Sequence, residues 1–162
     1  MEKGFRYDRR WMLVNKANGH VTQRTHPHLS QIGISLSEES IIATHRDMSD
    51  LEVPLTLNLG KHIQVTVWDD QVDALEAPQN INNWFSKIAG EPCKLVFMPE
   101  AGSRPVNPVR AINGEHVSFA DAYPYLIIGQ SSLDDLNARM EVDLPMHRFR
   151  PNIVTQSGIE HS

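Results

Sequence analysis

A chain of 162 residues, 40% hydrophobic and 22% charged, has room for one domain with a real core or for a small domain plus part of another, and excludes two complete large domains. No apolar run is long enough for a membrane helix or for the core of an export signal, so the sequence predicts a cytoplasmic protein outside the membrane. A formal charge of −5 argues against a general nucleic-acid binder, and the single cysteine, Cys93, excludes a disulfide framework or a multi-cysteine zinc or iron–sulfur site within the chain.

In chain order, residues 11–14 read as a short buried strand, and Asn18-Gly19 supplies the positive φ angles of a tight turn, with residues 20–23 as the return strand. Ile32, Ile34 and Leu36 alternate with Gly33 and Ser35, and residues 40–44 return after the polar break Ser37-Glu38-Glu39, a meander pattern. After a polar stretch over 46–50, residues 53–59 and 62–68 read as a further strand pair joined at Gly60-Lys61. Between Pro78 and Gly90, Ile81, Trp84, Phe85, Ile88 and Ala89 recur at helical spacing as one apolar stripe, and Gly90 is the stop. Residues 93–98 read as a strand, and 99–113, with several Pro and Gly, as a mobile loop and candidate boundary. Beyond it, residues 125–128 form a short strand, Ser131 opens a second helix with Leu133, Leu136 and Met140 as its buried stripe, and residues 152–155 form a last strand. The expected fold class is α+β, predominantly β: a β-rich, partly closed sheet over residues 1–100 with one or two packed helices, a linker over 101–115, and a second segment over 116–162.

Few residues announce chemistry by themselves. Three basic groups are suited to a small anion: Arg6, Arg9 and Arg10; Arg24 after the hairpin; and His147, Arg148 and Arg150. Cys93 reads as a buried hydrophobe, because no cationic neighbour in sequence favours a thiolate. His26-Pro27-His28, with His20 nearby, lacks a third ligand at metal spacing. Asp69, Asp70, Asp73 and Glu76 read as a solvated turn leading into the helix, and Trp84 and Phe85 as core. There is no Gly-rich phosphate loop, nucleophile elbow or His-Glu-x-x-His motif.

Three stretches, in this order across nearly the whole chain, resemble the MOSC (molybdenum cofactor sulfurase C-terminal) family. They are Tyr7-Asp8-Arg9-Arg10-Trp11-Met12-Leu13-Val14 with Thr22-Gln23-Arg24; Ser118-Phe119-Ala120-Asp121-Ala122-Tyr123-Pro124; and Ser131-Ser132-Leu133-Asp134-Asp135-Leu136-Asn137 leading to Phe149-Arg150-Pro151-Asn152. The resemblance, to the YcbX-like and amidoxime-reducing branch, implies a MOSC N-terminal β-barrel followed by the first strand–helix–strand of a MOSC barrel. It further implies a molybdenum cofactor (molybdopterin) held between the two, reduction of small N-hydroxylated substrates, and electrons supplied by an iron–sulfur or haem partner. A pyridoxal phosphate association comes with the same resemblance. By position, Arg24 matches the family's cofactor-contacting arginine, Ala122 and Tyr123 its cofactor-facing pair, and Arg150 and Asn152 the residues flanking Pro151.

Two departures qualify this expectation. The family's lysine-serine anchor lies before the start of this sequence, and its metal-binding cysteine lies beyond Ser162. The chain is therefore expected to be truncated at both ends, to supply part of the cofactor site without a metal ligand, and not to retain the cofactor alone. The alternative expectation is a stand-alone, non-catalytic β-barrel module that binds an anion or a protein partner. A missing first strand leaves a sheet edge open to a homodimer.

Overall fold

Trp11, Met12, Leu13 and Val14 do form a strand, β1 (Trp11–Val14), but its main partner is not the chain that follows the turn. This computed structural model describes residues 3–102, 104–107, 109, 111 and 113–156. Asn18 adopts φ 62° at the turn, and Asn15 Oδ1 accepts from the Gly19 N–H. The return is a bridge between Val14 and His20, flanked by Asn15 N–H donating to the Gly19 carbonyl at 2.9 Å and Val21 N–H donating to the Leu13 carbonyl at 2.7 Å. Thr22 then starts a new turn, so the predicted strand over 20–23 does not form.

The meander is present as β2 (Gly33–Leu36), β3 (Ser40–His45) and β4 (Met48–Pro54), all antiparallel. β4 starts within the stretch read as polar, because Leu51 and Val53 turn inward while Asp50 and Glu52 stay exposed. Val53 therefore pairs with Ile41, and the expected pairing of 53–59 with 62–68 is not made. Instead β5 (Lys61–Val67) pairs with β6 (Asp70–Glu76), from Lys61 opposite Glu76 to Val67 opposite Asp70. The acidic run is thus a strand: Val72 and Ala74 are buried while Gln71 and Asp73 face out. Its tight turn is Trp68-Asp69, with Trp68 at φ 56°, the positive φ that two-residue hairpins require. Just before β5, a Cβ at Gly60 would lie 2.7 Å from the Glu76 carbonyl oxygen, so only glycine lets the chain pass there.

The helix is α1 (Gln79–Ala89), and Gly90 ends it at φ 77° with its N–H on the Ser86 carbonyl. Ile81, Trp84, Phe85 and Ile88 pack on Leu29, Ala43, Leu51, Val53 and Leu95, each full burial contributing about 1.5–3 kcal/mol. β7 (Lys94–Phe97) lies between β1 and β6 in a four-stranded sheet of order β1-β7-β6-β5. Its side chains alternate: Leu95 faces the helix cluster, while Val96 joins Val14, Val65, Val67, Val72, Ala74, Met98 and Phe119 on the other face. Asn82, 1% exposed, ties helix to sheet, accepting from Leu95 N–H at 2.9 Å and donating to the Ala77 carbonyl at 3.1 Å.

The chain divides into two compact units, Met1–Ala122 and Tyr123–Ser162. The second holds β8 (Ile127–Gly129), α2 (Gln130–Asn137) and β9 (Ile153–Thr155), with β8 and β9 parallel. Leu133 is buried, but Leu136 and Met140 are exposed, so the predicted apolar stripe of α2 reduces to one residue. The fold is α+β and predominantly β. Among the described residues, strand pairing does not join the four-stranded sheet and the three-stranded sheet β2-β3-β4 into a closed barrel.

Candidate functional site

Arg24 stands on the turn that follows the first hairpin. Thr25 N–H and His26 N–H both donate to the Thr22 carbonyl, at 3.2 and 2.9 Å, and the next turn, Pro27–Gln31, is a 3-10 helix that buries Leu29 in the α1 cluster. The Arg24 side chain is exposed, and among the described residues it has no hydrogen bond or ion pair. Its five N–H donors are left to water or to an anionic ligand.

The basic cluster near the N-terminus has a different use. Arg10 is buried and donates to the Met98 carbonyl from Nε at 3.1 Å and from Nη2 at 2.6 Å, while Nη1 pairs with Glu100 at 2.9 Å. Arg9 pairs with Asp8, and Arg6 lies over the Tyr7 ring. These arginines do not form the free anion site that their spacing suggests. Tyr7 and Arg9 hold φ values of 66° and 50°, a backbone state that surrounding contacts must impose. Among those contacts, Phe119 N–H donates to the Arg9 carbonyl at 3.0 Å and Ser118 Oγ to the Asp8 carbonyl at 3.1 Å. Two of the three family-like stretches are thereby joined within one unit.

Arg104 completes this junction and was not legible in the sequence. It is 5% exposed; Nε donates to Asp70 Oδ2 at 2.7 Å, Nη1 to the Ala120 carbonyl and Nη2 to the Asp121 carbonyl at 3.2 Å. Its partners are a carboxylate 34 residues away and two backbone oxygens, a combination with no motif. Two more members of the acidic run are engaged, Asp73 on His62 at 3.0 Å and Glu76 on Lys94 at 3.3 Å, so the run is not a merely solvated turn. Among the described residues around Arg104 there is no helix or strand, yet Arg104, Val106, Val117 and Ala120 are buried and a bridge joins Pro105 to His116.

Ala122 ends the held segment, and no hydrogen bond joins it to Arg24. Tyr123, Arg150 and Asn152 belong to the second unit. Tyr123 is exposed, and Arg150, also exposed, caps a short 3-10 turn (Met146–Phe149) at φ 52°. Asn152 clasps Leu126 twice: Oδ1 accepts from Leu126 N–H at 2.9 Å, and its own N–H donates to the Leu126 carbonyl at 2.8 Å. This fixes the chain on either side of Pro151 next to the β8–β9 pair.

Cys93 is 4% exposed and lies in the α1 cluster. Burial pushes its thiol above the ordinary value of 9.0; a hydrogen bond from Ser86 opposes this and the Glu91 charge adds to it. A neutral, enclosed thiol is not a metal ligand. His26 is engaged by Thr25 and Glu91, and no group of three His, Cys, Asp or Glu that could hold a metal occurs among the described residues.

Residues 1–92 match the MOSC N-terminal beta barrel domain, more than half of the chain, and residues 114–162 match the MOSC domain. The chain belongs to the MOSC family. Mouse mitochondrial amidoxime-reducing component 1 is 29% identical over 160 residues, which cover 93% of this chain and 47% of that protein. Human mitochondrial amidoxime reducing component 2 is 32% identical, covering 91% and 45%. Bovine molybdenum cofactor sulfurase is 29% identical, covering 94% and 20%. This MOSC chain thus spans about half the length of the amidoxime-reducing relatives it matches. A Bordetella bronchiseptica protein solved in solution shares the fold, with a TM-score of 0.51 at 23% identity over 56% of this chain and 72% of that one. No helix among the described residues is long and apolar enough to cross a membrane.

Proposed function

We propose that this chain is part of a MOSC-family oxidoreductase that binds the molybdenum cofactor and reduces N-hydroxylated substrates, with Arg24 and Ala122 of the first unit and, separately, Tyr123, Arg150 and Asn152 of the second as its cofactor-binding residues. The observation that carries the reading is Arg24: in a chain matched to the family at both ends, the matching arginine is an exposed guanidinium with no partner among the described residues, on a turn fixed by its neighbours. The donor chemistry fits the anionic phosphate of molybdopterin, because the fork of N–H groups pairs with phosphate oxygens. Arg150 would add a second cation. Asn152 spends its Oδ1 on Leu126, so its part is to fix the backbone beside Arg150. Ala122 would contribute its backbone and Tyr123 its ring.

When bound, the cofactor supplies the oxygen and electron transfer. Nothing in the buried, protonated Cys93 suits the metal, so no residue of this chain is assigned as its ligand. An iron–sulfur or haem protein as electron donor, a homodimer, and a division into residues 1–100, 101–115 and 116–162 are part of the same proposal; sedimentation of the purified chain tests the dimer. Pyridoxal phosphate is not part of it. The sequence points to the cytoplasm and the amidoxime-reducing relatives are named for the mitochondrion, so imaging of the tagged protein decides the location.

The test is titration of the chain with the fluorescent, phosphate-bearing pterin obtained by oxidising molybdopterin, followed by anisotropy. Weak but saturable binding, released on gel filtration because the chain alone does not retain the ligand, lost when the pterin is dephosphorylated and weakened about tenfold in Arg24→Ala, is the expected result. Absence of saturable binding, or equal binding by Arg24→Ala, overturns the reading.

A further inference from the structure

The turn that carries Arg24 is connected to the far end of α1 by a chain of polar contacts that the family match does not account for. His26 Nε2 lies 2.9 Å from Glu91 Oε1, and His26 Nδ1 lies 2.9 Å from Thr25 Oγ1. Thr25 Oγ1 is also 3.1 Å from the Thr22 carbonyl oxygen and 3.3 Å from Thr22 Oγ1. Glu91 directly follows Gly90, which stops the helix, and Leu29 plugs the other side of the turn into the helix cluster. Arg24 therefore sits inside a loop closed at Thr22, latched at His26 and anchored at Leu29.

We infer that His26 and Glu91 are positioning residues that preorganise the backbone turn presenting Arg24 to a phosphate-bearing ligand; this rests on the proposed role of Arg24. The hydrogen-bond inventory shows why the latch is durable. With a neutral imidazole, Nε2–H donates to the Glu91 carboxylate and Nδ1 accepts from the Thr25 hydroxyl. With an imidazolium, both ring nitrogens donate, and the Thr25 hydroxyl turns to give its proton to the Thr22 carbonyl while accepting from Nδ1. Either protonation state leaves every partner satisfied, so the turn keeps one geometry. Fixing the turn in advance spares the ligand the cost of ordering it, which is how a residue that never touches the ligand raises affinity.

The experiment uses the whole chain and the same phosphate-bearing pterin, comparing wild type with Arg24→Ala, Glu91→Ala and Glu91→Gln. Glu91 is half exposed, so its variants are expected to keep the wild-type Tm within a few degrees. Glu91→Ala should weaken pterin binding several-fold and speed amide exchange at His26, whose N–H donates to the Thr22 carbonyl at 2.9 Å. Glu91→Gln retains an acceptor oxygen for Nε2–H and should restore both, which a loss of overall stability does not mimic. If Arg24→Ala weakens binding while Glu91→Ala binds as wild type, the positioning role is overturned and the cofactor reading stands. If Arg24→Ala also binds as wild type, both are overturned.

Discussion

Burial decides what Cys93 and Asn82 can do. The Cys93 thiol is raised, so in the native state it holds its proton to higher pH than in the unfolded chain. Below the ordinary value of 9.0 both states are protonated and the stability is fully present; as pH rises from there toward the native value, the unfolded chain releases its proton first and stability falls. Urea midpoints measured from pH 8 to 10 should decline in wild type, with a smaller decline in Cys93→Ala. At pH 7.5 the native thiol should resist maleimide and react once urea unfolds the chain; rapid native labelling contradicts the buried placement. Asn82→Ala strands the Leu95 N–H and the Ala77 carbonyl in the core, and should cost about 2–4 kcal/mol, read as a lower Tm. Asn82 stands among the apolar residues of α1, where the sequence shows only a polar interruption of the stripe.

At the scale of elements, a side chain from an irregular segment organises its surroundings. Arg104 holds Asp70 at the tip of the β5–β6 hairpin and the carbonyls of Ala120 and Asp121. Arg104→Met keeps much of the aliphatic volume and removes these donors, leaving buried carbonyls unpaired. Amide exchange at Val106, Val117 and Phe119 should then accelerate while β5, β6 and β7 remain protected; unchanged exchange would show that apolar packing alone holds the segment. Strand β6 was hidden from the sequence for a related reason. Asp70 and Asp73 look like a solvated run until Arg104 and His62 are seen opposite them, and those partners are set by tertiary pairing. α1 was legible because its signal is local: an apolar stripe of period 3.6 and a glycine that alone tolerates the left-handed stop.

Across the whole molecule, the two units differ in what they bury. The first contains the helix cluster, the second sheet face around Val65 and Val96, and all three tryptophans. A fragment of residues 3–122 is expected to unfold cooperatively when followed by far-UV circular dichroism, whereas residues 123–156, with Leu133 as their buried apolar residue, should show no cooperative transition by the same probe, as a two-stranded sheet with one short helix is too small to stand alone. A non-cooperative melt of 3–122 would contradict this. By itself the sequence determined the α+β, β-rich class, the meander β2–β3, helix α1 and membership of the MOSC family, since these depend on local periodicity or on ordered motifs. Only the tertiary structure decided that β1 pairs with β7, that the acidic run is β6, that Arg10 and Arg104 are structural, and that Arg24 has no partner among the described residues. Each of those outcomes turns on which distant group lies opposite a strand or a charge, and one-dimensional spacing carries no record of it.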